Sequence, residues 1–164
     1  MLGSLLVGAV VTSSLTPAVA AAAEGGALCF EVAARAERAL WGAELGRAAE
    51  AREDVERCRA AMGADPHWGC LGALIDVVDG VLAAREDRRA AAAAWFARAL
   101  PPLRENGLVW DEAEVLYRWG ATASRDPERQ AQRLDAAEEL LRRHGAGPFW
   151  LERINAVREA VIAP

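Results

Sequence analysis

Residues 108–150, LVWDEAEVLYRWGATASRDPERQAQRLDAAEELLRRHGAGPFW, decide the fold. Trp110, Ala113, Leu116, Tyr117, Gly120 and Ala123 recur at steps of three and four, the spacing of one helical face. Val115, Trp119 and Thr122 make a second stripe beside it, which predicts a helix covered on two sides. Arg125-Asp126-Pro127-Glu128 stops this helix and starts another, because Asp126 suits an N-cap and Pro127 suits the first helical position. The second helix is expected to turn Ala131, Leu134, Ala137 and Leu141 inward. Glu138/Arg142 and Glu139/Arg143 form i,i+4 pairs outside. Gly145-Ala146-Gly147 then ends the hairpin, since glycine reaches the left-handed conformation that closes helices.

The same pattern extends in both directions. Residues 148–162 read as a last helix with Trp150, Ile154, Val157 and Val161 on one face and Glu152, Arg153, Arg158 and Glu159 opposite. Residues 28–45 and 47–62 read as helices parted by Gly46, and Asp65-Pro66 marks the next turn. Residues 67–84, with Trp68, Leu71, Leu74, Ile75, Val78, Val81 and Leu82, form the most apolar of these helices. Residues 87–105 follow, and Pro101-Pro102 predicts a break or sharp kink near Leu100.

Two markers reveal a repeat. Trp68, Trp110 and Trp150 each open a helix after a turn, at spacings of 42 and 40. Gly42, Gly80 and Gly120 lie within the first helices of successive pairs, at spacings of 38 and 40. A mid-helix glycine costs about 1 kcal/mol against alanine, so each is expected where a neighbouring helix crosses closely. The fold class is therefore all-α: antiparallel helix hairpins stacked as a short tetratricopeptide-like α-solenoid. Residues 1–26 form an apolar N-terminal segment ahead of a helical-repeat domain at 27–164. The segment reads as a helix packing on the first repeat. Ala18-Val19-Ala20 resembles a signal-peptidase site, but no Lys or Arg precedes Arg35, so a positive n-region is missing. Thr12, Ser13, Ser14, Thr16 and Pro17 interrupt the apolar run, and no membrane span is expected.

Composition narrows the chemistry. The 19 basic residues are all arginine, and the absence of lysine removes both a P-loop lysine and a Schiff-base lysine. Arginines interleave with 24 acidic residues for a net charge of −5, which argues against direct nucleic-acid binding. Cys29, Cys58 and Cys70 are an odd set without a CxxC, suited to a reducing, cytoplasmic setting. The alternative is an exported helical protein led by a signal-like segment at residues 1–22.

The phrases DPHW, ENGLVWDEAEVLYRWG and ERQAQRLDAAEELLRRHGAGPFWLERI carry a resemblance over roughly residues 30–160. They are similar to the C-terminal helical regions of large actinobacterial regulators, both LuxR-type and antibiotic-regulatory ATPases and multidomain adenylate/guanylate cyclases. The helix pairs with small residues at their crossings resemble tetratricopeptide repeats more generally, although these units are longer than the strict form. The resemblance implies a sensor or interaction arm and carries over no catalytic residue.

No catalytic residue, cofactor or metal is expected from the sequence, and the chain is read as a non-enzyme. Cys58, His67 and Cys70 match no familiar zinc spacing. His144 reads as a helix C-terminal residue, and no GxSxG motif occurs. The expected function is a protein-interaction or regulatory module, a fragment or stand-alone relative of a larger regulator. Trp110, Glu114, Tyr117, Arg118 and Trp119 are the candidate interaction surface, because aromatic and arginine side chains make the strongest anchors. A small-ligand sensor with a pocket between repeats is the competing reading.

Overall fold

The computed structural model describes residues 2–64, 68–123 and 126–162, with side chains within residues 13–160 of that span. Its described elements are α1 (Leu2–Glu24), α2 (Leu28–Glu44), α3 (Ala48–Met62), α4 (Gly69–Arg85), α5 (Arg89–Glu105), α6 (Val109–Thr122), α7 (Pro127–Arg143) and α8 (Pro148–Ile162). The protein is all-α, and no strand occurs among the described residues. It divides into two compact units, Met1–Leu82 and Ala83–Pro164. Helices α2, α4, α6 and α8 begin at steps of 41, 40 and 39 residues, close to the period of the tryptophan markers.

One turn is used again and again. Before α2, α3, α5 and α6 the chain makes the same three-residue connection, closed by Ala27 N–H to Ala22 O, Arg47 to Gly42, Arg88 to Ala83 and Leu108 to Leu103. These are Schellman closures, in which the residue before the last adopts positive φ. Gly26, Gly46 and Gly107 fill that position, and Asp87 takes it with φ 54°. The last residue of each connection doubles as the N-cap of the next helix, and within the units α1 folds back on α2, α2 on α3 and α5 on α6. The α6–α7 connection differs. There Asp126 accepts from the Glu128 and Arg129 amides and Pro127 opens the helix, as its sequence predicts.

In the first unit α1 packs on α2 and α2 on α3. Val32, Ala36, Ala39 and Ala43 of α2 face Ala51, Val55 and Cys58 of α3, all buried. Arg59 of α3 pairs with Asp79 of α4. The expected turn at Asp65-Pro66 lies outside the described residues. Helix α4 is buried from Ile75 to Val78 and from Gly80 to Ala83, consistent with its apolar sequence.

In the second unit α5 packs on α6, α6 on α7 and α7 on α8. Phe96, Leu103, Leu116, Leu134, Leu141 and Ile154 form its buried core. Gly120 marks a true crossing, since an added Cβ would stand 3.1 Å from Leu134 and 3.3 Å from the Gln130 carbonyl oxygen. Gly42 is different: a Cβ there would meet Ala51 at an ordinary 3.8 Å.

Several expectations need correction. Helix α5 runs unbroken through Pro101 and Pro102. The carbonyls these prolines leave without helical donors belong to Ala97 and Arg98, which are exposed to water, while buried Leu100 and Leu103 anchor the turn from the other side. Ala131 is exposed, so the inner stripe of α7 begins at Leu134. Trp110 is also exposed, and Thr122 points outward with its hydroxyl donating to the Arg118 carbonyl. On α8, Arg153 and Arg158 are half-buried rather than turned to solvent, while Glu152 and Glu159 are exposed as read. The Val161 side chain lies outside the described residues.

Candidate functional site

The five candidate residues of α6 have distinct surroundings. Arg118 is 3% exposed and its Nη1 lies 2.7 Å from a Glu114 oxygen. Trp119 lies between the Arg133 guanidinium of α7, 4.0 Å from its ring centre, and Phe96 of α5, 6.4 Å away. Burial and the nearby Arg129 charge pull the Arg133 pKa down. Tyr117 faces α8, where the Arg153 guanidinium lies 5.0 Å from its ring. The same guanidinium lies 5.1 Å from Trp150 and 5.7 Å from Phe149. Three aromatic rings therefore stand near one cation, two from α8 itself and Tyr117 from α6. Glu114 is partly exposed, and burial, followed by the Glu114 charge, pushes the neighbouring Asp111 carboxyl above its ordinary pKa. Trp110, 47% exposed, is the most solvent-accessible of the five.

The exposed large apolar residues follow a rule the sequence reading only half anticipated. Among the described residues they are Leu28 (41%), Phe30 (69%), Trp110 (47%) and Phe149 (52%). Every one lies in the opening turn of α2, α6 or α8, the helices that begin each 40-residue step. The tryptophan spacing signalled this position. It failed to single out Phe30 and Phe149, because a lone phenylalanine after a turn reads equally well as core.

In the first unit the sequence reading missed a buried ionic cluster. Asp54 of α3 is 5% exposed and receives three arginine donors from α2. Arg38 binds it through both oxygens at 2.8 and 2.7 Å, and Arg35 Nη1 donates at 3.1 Å. Arg35 Nε also donates to Glu31 at 2.8 Å. The bonds to Asp54 hold Arg38 more firmly protonated than usual. Both charges sit on inner stripes, Arg35 between Val32 and Ala39 and Asp54 beside Ala51 and Cys58. That opposition of charges on facing stripes was the available signal.

Next to this cluster a cleft of about 370 Å³ opens among α1, α2 and α3. Thr16, Gly42 and Ala51 supply its small walls. Its charged lining is Arg38, Arg47 and Arg57 against Glu50, Glu53 and Asp54. Arg57 bonds Glu53 at 2.5 Å, but Arg47 stands 4.0 Å from Glu50, beyond hydrogen-bond reach.

No group of three metal-ligating side chains occurs among the described residues. His67, part of the weighed Cys58/His67/Cys70 set, lies outside them. Cys58 is buried with its thiol against the Val32 carbonyl oxygen, and burial pushes its pKa up to about 11. His144 caps α7, with Nδ1 2.9 Å from the Leu140 carbonyl oxygen. No described helix is long and apolar enough to cross a membrane. Compared with known proteins, the chain matches no family model, no curated sequence and no solved structure.

Proposed function

We infer that the chain is a non-catalytic helical-repeat module that binds a protein partner through the opening turns of its repeat-starting helices. The observation that carries this reading is the confinement of Leu28, Phe30, Trp110 and Phe149 to those turns. Isolated exposed apolar residues need no explanation, but recurrence in the opening turn of three of the four helices spaced by about 40 residues does. Aromatic side chains supply large contact area at low entropic cost, which suits anchors. The resemblance to the C-terminal arms of actinobacterial regulators supports a regulatory role, as a relative or fragment of such a protein. Its three free cysteines suit a reducing, cytoplasmic setting.

The test is site-specific photocrosslinking in cells, with a photoreactive residue at position 110 or, as a control, at Glu139 on the polar face. The reading expects a discrete protein adduct at 110 that Phe149→Ser weakens and that is absent at 139. The same adducts at both positions would overturn the binding reading. So would turnover of ATP or GTP that purifies with the protein and falls with a point substitution, since phosphoryl transfer needs a cationic cradle and a magnesium site.

A further inference from the structure

The geometry points to the first-unit cleft as a binding site for a free α-amino acid, held at both charged ends. This stands apart from the protein-binding reading, which concerns the helix openings. Charge selects the class. Three arginines and three carboxylates line the cleft, so a bare cation meets Arg38, Arg47 and Arg57, and a polyanion meets Glu50, Glu53 and Asp54. An apolar ligand would have to desolvate those groups without replacing their hydrogen bonds. A zwitterion alone satisfies both signs.

The engaged and unengaged groups locate its ends. Arg38 is committed to Asp54, and Arg57 to Glu53. Arg47 and Glu50 are opposite charges that face each other at 4.0 Å without a hydrogen bond. A carboxylate inserted at Arg47 and an ammonium at Glu50 would complete both with charge-assisted bonds. Gly42 and Ala51 keep the wall between them small, with only 3.8 Å from the absent Gly42 Cβ position to Ala51. Among the described residues the lining has no aromatic ring, which disfavours a quaternary ammonium such as a betaine and favours a primary one. The size also fits, since pockets for small ligands begin near ~300 Å³.

The experiment is an amide chemical-shift titration of the full chain with each of the common amino acids to about 10 mM, tenfold above a weak millimolar Kd. Acetate, methylammonium and glycine betaine serve as single-ended and quaternary controls. The expected result is saturable movement of the Gly42, Arg47 and Ala51 amides with at least one amino acid. Arg47→Ala and Glu50→Gln, both at exposed side chains, should each weaken that binding at least about tenfold, the loss of one charged hydrogen bond. No movement with any amino acid overturns the site. A control that binds as tightly, or a response that survives in either variant, overturns the two-ended mode.

Discussion

Asp54 of α3 receives arginines from α2, and Tyr117 of α6 receives Arg153 from α8 beside that helix's own Phe149 and Trp150, but the chemistry of the receiving side differs. In the first unit the acceptor is a carboxylate closed off from water, and Arg35 and Arg38 converge on it. In the second unit Arg153 lies among three rings. Nearby, Arg158 of α8 bonds Glu138 of α7 at 2.5 Å and also pairs with Asp135, with about a third of its side chain in solvent. The first arrangement is all-or-none. Removing one member of a buried ionic set leaves the others charged, desolvated and unmatched. The second is graded, because each exposed charge can return to water when its partner is lost. Both units are joined by apolar burial, but the first adds a buried ionic cluster and the second adds partly exposed pairs.

The largest effect should come from Asp54→Ala, which leaves Arg35 with Glu31 alone and takes both of Arg38's hydrogen bonds to Asp54 away. It should cost about 3–5 kcal/mol in denaturant unfolding, in line with broken buried ion pairs. A cost below about 1 kcal/mol would put this cluster in the same class as the surface pairs and remove the contrast. Next, Ile154→Ala deletes the fully buried contact of α8 and should cost about 2–5 kcal/mol. Hydrogen exchange should then rise first in α8. Unchanged protection there would mean that charge rather than packing docks the helix. Arg158→Ala is expected to cost about 1 kcal/mol or less, and a larger loss would make the second unit as dependent on ions as the first.

The pH responses of two single groups should be opposite in direction. Hydrogen bonds from Arg158 and then Arg142 lower the Glu138 pKa, so its stabilisation is present at neutral pH. It is lost as pH falls through the depressed folded value, and Glu138→Gln should flatten that acid slope. Cys58 shifts the other way, since its folded pKa is raised from 9.0 to about 11. Stability should decline as pH rises across that window, and Cys58→Ser should remove the decline. At neutral pH a thiol reagent should label exposed Cys29 readily and Cys58 only on unfolding.

Much of this architecture is local and therefore readable in one dimension. The α6–α7 hairpin, its Asp126 cap, the glycine closures at 46, 107 and 145 and the 40-residue step all follow from propensity, periodicity and turn chemistry. Each depends on residues within one or two turns of each other. Pro101-Pro102 misled because the cost of a proline depends on whether water or a neighbour faces the freed carbonyls. Trp110 shares a periodic stripe with buried Ala113 and Leu116 yet is exposed, because periodicity places a residue on a face but does not say where that face stops being covered. Arg118 was read as a surface anchor, and its burial against Glu114 was not legible because it depends on what packs over α6.

The sequence by itself determined an all-helical chain, the positions of most helix ends and the chemistries its composition forbids. Tertiary structure alone decided which charges went inside. Arg35 and Asp54 are 19 positions apart, and only the packing of α2 on α3 brings them to 3.1 Å. The cleft beside them has the same origin, because its walls come from three helices and no single segment contains its pattern. The reason is physical. Helix formation is a matter of neighbours along the chain, but burial and electrostatic pairing depend on which surfaces meet in space.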